Sequence, residues 1–133
     1  MTELVKSEWS RYRSKLLPVI QTIEQRNSHQ FSDEVDKALS SERAFLFVAQ
    51  DGFLVLQPLS QGGTVTVNVM FAFNWGDSAI SRYQHTIERL SRDIGARGLE
   101  LYTVVVGLIP SLEMQGWQMT PSDNRIMHWT KTL

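Results

Sequence analysis

The stretch from Thr64 to Val106 constrains the fold more than any other part of the chain. Val65, Val67, Val69, Phe71 and Phe73 recur at every second position, so residues 64–73 read as a strand with one apolar face. A corner, Asn74 to Asp77, follows it. Ile80, Tyr83, Ile87, Leu90 and Ile94 then recur at steps of three and four, the stripe of an amphipathic helix over 77–94. Gly95 and Gly98 can end that helix, and residues 99–106 are a second apolar strand. Strand, tight corner, helix and strand form a βαβ unit, and its crossover makes the two strands parallel neighbours. Such a corner sets helix N-terminal amides beside a strand end, where anions bind.

The other segments extend this into a mixed sheet with helices packed on it. Trp9, Tyr12, Leu16, Leu17, Ile20 and Ile23 fit one helical face over about residues 4–26. Pro18 either kinks that helix or opens a second one. Ser32 is the expected cap of a short helix holding Val35, Ala38 and Leu39. Residues 44–49 form an apolar strand, Asp51-Gly52 an expected type I′ hairpin turn, and 53–57 the returning strand, ended by Pro58. Gln61 to Gly63 turns into the long strand. After Val106 come a helical turn near 111–115 and two short strands, 117–120 and 125–131. The expected fold class is α+β, with an α/β-type mixed sheet in the order α-α-β-β-β-α-β-(short α)-β-β. One domain, 1–133, is expected, with residues 1–42 helical.

Composition excludes several classes. There is no cysteine, hence no disulfide, thiolate catalyst or thiolate metal site. The 13 basic and 14 acidic residues nearly balance and no basic block appears, so no nucleic-acid partner is expected. No apolar run reaches the ~18 residues of a membrane span, and no secretory leader is visible. A cytoplasmic protein is expected. His29, His85 and His128 show no metal-ligand spacing, and His128 reads as a sheet histidine. No metal is expected.

The order of elements from residue 44 onward resembles the GNAT fold, the family of acetyl-CoA-dependent N-acetyltransferases. In that family the long strand splays from its parallel neighbour and acyl-CoA lies in the gap. Its pyrophosphate is held by amides of a loop reading Arg or Gln, two residues, Gly, one residue, Gly or Ala. The matching segment here, residues 73–79, keeps Gly76 but carries Asp77 where phosphates would approach. The resemblance implies cofactor contacts from Val69, Met70, Phe71 and Ala72, and from the Gly76, Ser78 and Ala79 amides. The alternative for the corner is a plain helix cap by Asp77 or Ser78. A family tyrosine that protonates the departing thiolate aligns, counting back from Gly116-Trp117, with Leu112, which has no proton to give.

Glu100 and Tyr102 share a strand face and are the catalytic candidates, as bases acting on an amine through water. The plainer reading makes Glu100 a surface carboxylate and Tyr102 a half-buried aromatic. Substrate would lie between the strands bearing Asn68 and Tyr102. Trp75 is either an interface anchor or a plug folded over the sheet edge.

The favoured expectation is a GNAT-like domain with a degraded acetyl-CoA loop. It would work through contacts with a protein partner or another copy of itself, with no cofactor. In length and in its Gly-aromatic, β-β ending it resembles small acetyltransferase-like phage proteins, including virion proteins of short-tailed phages. The alternative is an acyl-CoA-dependent N-acetyltransferase with a divergent pyrophosphate loop and acetyl-CoA as cofactor.

Overall fold

The computed structural model describes residues 4–27, 30–74, 79–121 and 125–133. In chain order the elements are β1 (Val5–Ser7), α1 (Trp9–Asn27), α2 (Ser32–Ser40), β2 (Phe45–Ala49), β3 (Gly52–Gln61) and β4 (Thr64–Asn74). They continue with α3 (Ala79–Asp93), β5 (Gly98–Thr103), a 3-10 turn (Val106–Leu108), α4 (Ile109–Met114), β6 (Gln118–Thr120) and β7 (Met127–Thr132). The expected α+β class holds. The strands form one mixed sheet in the order β1-β2-β3-β4-β5-β7-β6, and β4 and β5 are parallel neighbours as the βαβ pattern requires.

Helices cover both faces. On one side α3 and α4 bury Ile80, Tyr83, Ile87 and Leu112 against Leu54, Val67, Val69, Leu99 and Trp129. On the other, α1 and α2 bury Trp9, Leu16, Ile20, Val35 and Leu39 against Leu46, Phe53, Val55 and Phe71. Ile20 and Ile87 are fully enclosed, and each such side chain contributes roughly 1.5–3 kcal/mol. Trp117 and Trp129 lie in the α3-side core.

Several expectations need correction. The order of elements begins with a strand, since β1 pairs antiparallel with β2. Three residues are too few to show a period of two. Pro18 neither breaks nor restarts α1, which runs unbroken from Trp9 to Asn27 with the proline ring on its exposed side. Ser32 is not the cap of α2. Glu24 of α1 holds that helix start instead, accepting the Phe31 and Ser32 N–H groups at 2.7 and 3.0 Å and the Ser32 hydroxyl at 2.8 Å. A carboxylate there also meets the positive end of the helix dipole. Pro58 does not end β3, which continues to Gln61. Beyond Leu56 the β2 side of β3 is open, so a residue without an N–H is tolerated.

The Asp51-Gly52 turn is displaced by one residue. Ala49 pairs with Gly52, leaving Gln50 and Asp51 as the turn, and neither Asp51 nor Gly52 has positive φ. Gly52 is required for a different reason: a Cβ there would lie 2.0 Å from the Phe73 carbonyl oxygen of β4. The Gly62-Gly63 turn, with φ of 58° and 83°, is the positive-φ hairpin. Strand β5 stops at Thr103, whose hydroxyl accepts the Val105 N–H at 3.1 Å and turns the chain out of the sheet before Val106. Ile94, placed on the buried stripe by spacing, is exposed at the frayed end of α3.

The single apolar face expected for β4 is also wrong. Pairing with β3 passes from Val69 opposite Leu56 to Phe71 opposite Val55, which leaves Met70 as a bulge. Val65, Val67 and Val69 therefore face α3, whereas Phe71 and Phe73 face α1 and α2. There Phe71 sits 5.4 Å from Phe53 and 5.7 Å from Phe31 between ring centroids.

Candidate functional site

The bulge lies where β4 leaves β5. Their pairing runs through Thr66–Gly98, Val67–Leu99 and Asn68–Glu100, and stops. Beyond Asn68, β4 continues to Asn74 beside β3 but has no strand partner on its β5 side among the described residues. A bulge bends its strand and increases local twist, which turns the upper half of β4 away from β5. The resulting cleft measures about 680 Å³. Val69, Met70, Phe71 and Ala72 form one wall, Leu101, Tyr102 and Thr103 the other. Ala79 closes one end beside α3, and Arg26 and Glu34 reach it from α1 and α2. Main-chain groups left without a sheet partner at such a place need hydrogen bonds from elsewhere.

Five of the residues expected around a cofactor, Val69, Met70, Phe71, Ala72 and Ala79, thus line one cleft. Gly76 and Ser78, with Trp75 and Asp77, lie outside the described residues. Leu112 is completely buried in the α3-side core, so no proton donor stands at that position.

Glu100 and Tyr102 point to the sheet face opposite α3, because Leu99 and Leu101, which alternate with them, are core residues on the α3 side. A third residue joins them. His128 of β7 pairs with Tyr102, and its Nε2 lies 3.0 Å from Glu100 Oε2. Its ring stacks on Tyr102 with centroids 4.4 Å apart and planes 7° from parallel. Burial, and then the nearby Glu100 carboxylate, push the Tyr102 phenol above its ordinary value. The imidazole and the carboxylate stand within hydrogen-bond distance, and the phenol is kept neutral. Spacing along the chain could not reveal this cluster, since it depends on β7 inserting between β5 and β6. His128 is the hydrogen-bonded sheet histidine the sequence suggested, and Glu100 is its partner.

Asn68, on the same face, donates a long 3.4 Å hydrogen bond to Gln57. Its Oδ1 is buried with no partner at all. An unmatched buried acceptor carries a cost of about 1–3 kcal/mol, and a ligand N–H or O–H would relieve it.

At the far end of β4, Asp51 ties three segments together. Its carboxylate accepts hydrogen bonds from Asn74, Arg82 and Tyr83 at 2.9, 2.8 and 2.7 Å. The Tyr83 bond, with Arg82, holds the Asp51 carboxyl below its usual range against a desolvation that raises it. Burial first, and Asp51 second, push the Tyr83 phenol up to about 12. Among the described residues no group of His, Asp and Glu could hold a metal ion, and no helix is long and apolar enough to cross a membrane.

No protein-family model and no curated protein sequence matches the chain. Solved structures do. A GNAT-family acetyltransferase from Staphylococcus aureus Mu50 superposes with a TM-score of 0.73 at 10% identity, over 100% of this chain and 99% of that one. A polyamine N-acetyltransferase from Drosophila melanogaster, which catalyses the formation of N-acetylagmatine, gives 0.69 at 9%, over 100% of both chains. PaiA N-acetyltransferase from Thermoplasma acidophilum, in complex with coenzyme A, gives 0.65 at 12%, over 100% and 99%. None of the three supports a phage virion role. With its splayed parallel pair and full-length superposition, this chain has the GNAT fold.

Proposed function

We propose that the protein is an acyl-CoA-dependent N-acyltransferase. One observation carries the reading: β4 and β5 stop pairing at Asn68 and Glu100, and the cleft beyond them is lined by Val69 to Ala72 of β4, which pair with β3 and not with β5. Residues Val69 to Ala72 fit a pantetheine-like chain, whose amides can pair with β4 as a strand would. Bound acyl-CoA supplies an activated acyl thioester, and transfer forms an amide C–N bond, breaks the C–S bond and releases the thiol. Glu100, paired with Asn68 at the last rung before the cleft opens, accepts the proton that an acceptor ammonium must lose. His128, 3.0 Å away, orients that carboxylate.

Calorimetric titration with acetyl-CoA tests this. A micromolar dissociation constant, about −8 kcal/mol, is expected. A constant weaker than about millimolar, near −4 kcal/mol, would instead favour a domain that works through protein contacts, in a virion or elsewhere.

A further inference from the structure

On the face bearing Glu100, one line of polar side chains crosses five strands. Gln57 of β3 pairs with Asn68, Asn68 with Glu100, Glu100 with Thr130 of β7, and Thr130 with Gln118 of β6. Directly paired residues project from the same face of a sheet, so these five side chains form a row perpendicular to the strands. The core on this side draws no buried residue from β5, β6 or β7, so α1 and α2 leave that part of the row uncovered. Tyr102 and His128 stand on the same face one step along their strands, as a flat stacked wall.

The row is unusual in what it lacks. It holds three carboxamide or hydroxyl side chains with unused capacity. Asn68 Oδ1 is buried and unpartnered, and the Thr130 hydroxyl and the Gln118 amide make no side-chain hydrogen bond among the described residues. It carries one carboxylate and no Lys or Arg. We propose that this row is the acceptor platform and that its ligand is a polyhydroxylated primary amine, an unphosphorylated amino sugar. The proposal rests on the acyltransferase reading of the cleft.

The chemistry selects among amines. A polyamine needs a carboxylate for each of its charges, and the row offers Glu100 alone. A phosphorylated acceptor needs a cation, and the row has none. An extended peptide pairs through the main chain of a free strand edge, whereas this row runs across strands and bonds through side chains. Vicinal hydroxyls match neutral amides and hydroxyls, each both donating and accepting. With strands ~4.8 Å apart, Asn68 to Gln118 spans ~14 Å, the scale of a disaccharide. Asn68 also lines the cleft apex, so an amine at Glu100 lies where the acyl group would arrive.

Saturation-transfer NMR on the chain alone, with glucosamine, glucose, spermidine and trialanine as probes, reads this without catalysis. Glucosamine is expected to give the strongest signal, with glucose several-fold weaker for want of the ammonium that Glu100 attracts. Asn68→Ala is expected to weaken glucosamine about tenfold. Thr130→Val, which keeps the side-chain shape, is expected to weaken it severalfold, and it decides the matter if Asn68→Ala fails to fold. Spermidine or trialanine binding better than glucosamine, or glucosamine binding unchanged in the folded variants, overturns the proposal. The acetyl-CoA titration separates the two readings. Acetyl-CoA binding without glucosamine binding sinks the row alone, and glucosamine binding without acetyl-CoA upholds a sugar site and sinks the acyltransferase.

Discussion

Asp51 and Tyr83 meet at 2.7 Å although 32 residues of chain separate them. The bond fastens the β2–β3 hairpin to α3, and Asn74 at the end of β4 shares the same carboxylate. The position where the long strand ends and the position where α3 takes hold are thereby fixed relative to each other. That is the geometry a cleft between β4 and β5 needs at its far end.

Gly52 is what lets this junction close. A Cβ at that position would stand 2.0 Å from Phe73 O, 2.7 Å from Tyr83 Oη and 2.9 Å from Asn74 Cα. Two of these are main-chain atoms that cannot move independently. Gly52→Ala is expected to destabilise the protein by about 3 kcal/mol. Gly107→Ala, where nothing lies within 4 Å of the new methyl, should stay within about 0.5 kcal/mol. Urea unfolding of both variants makes the comparison, and equal midpoints would refute the close-approach argument.

The clamp between α1 and α2 gives stability a pH dependence. Arg13 holds the Asp36 carboxyl at about 2, below its ordinary 3.8, with a further hydrogen bond from the Trp9 indole at 2.8 Å. A depressed carboxyl contributes stability above its unfolded value and loses it as pH falls through the folded one, here between about 4 and 2. Arg13 is half exposed, so screening reduces the effect to about 1 kcal/mol. Asp36→Asn should therefore lose about 1 kcal/mol less than the parent between pH 5 and pH 2, measured by urea unfolding at each pH.

Catalysis, if the acyltransferase reading holds, runs through Glu100. Glu100→Gln keeps the size and the sheet position of the side chain but cannot take a proton. Thiol release from acetyl-CoA is expected to fall about 10²-fold in kcat, with the KM for acetyl-CoA nearly unchanged. His128→Gln should give a smaller loss, since it removes the orienting partner and not the acceptor itself. Unchanged turnover in Glu100→Gln would remove Glu100 from the mechanism.

The parts of the fold that sequence made legible are those set by local periodicity. The alternation before Met70 and the stripe from Ile80 to Leu90 identify the β4–α3–β5 crossover, and the parallel pairing follows from handedness. The bulge escaped because the apolar alternation runs straight through it. Val69, Phe71 and Phe73 keep a period of two, and both faces of the sheet are apolar there, so nothing in composition marks the change of side. Gly52 was legible as an indispensable glycine but not for its true reason, because the clash it avoids comes from Phe73 on another strand. The Glu100–His128–Tyr102 cluster and the polar row depend on β7 lying between β5 and β6, an order that no local pattern encodes.

The bulge itself can be tested directly. Deleting Met70 would bring Phe71 into the position next to Val69, where ordinary alternation already sends it to the α1 and α2 face. Val69 and Phe71 would then pair with Leu56 and Val55 without a register shift. Every core residue of β4 keeps its side, and only a half-buried methionine is lost, so the fold should survive with a cost of about 1–2 kcal/mol. The bend that turns β4 from β5 should not survive. Pairing would extend past Asn68 and Glu100 and narrow the cleft. Acetyl-CoA binding, measured by calorimetry, is expected to weaken at least tenfold in a variant whose thermal unfolding remains cooperative. A folded deletion variant that binds acetyl-CoA as the parent does would show that the cleft is opened by something other than Met70.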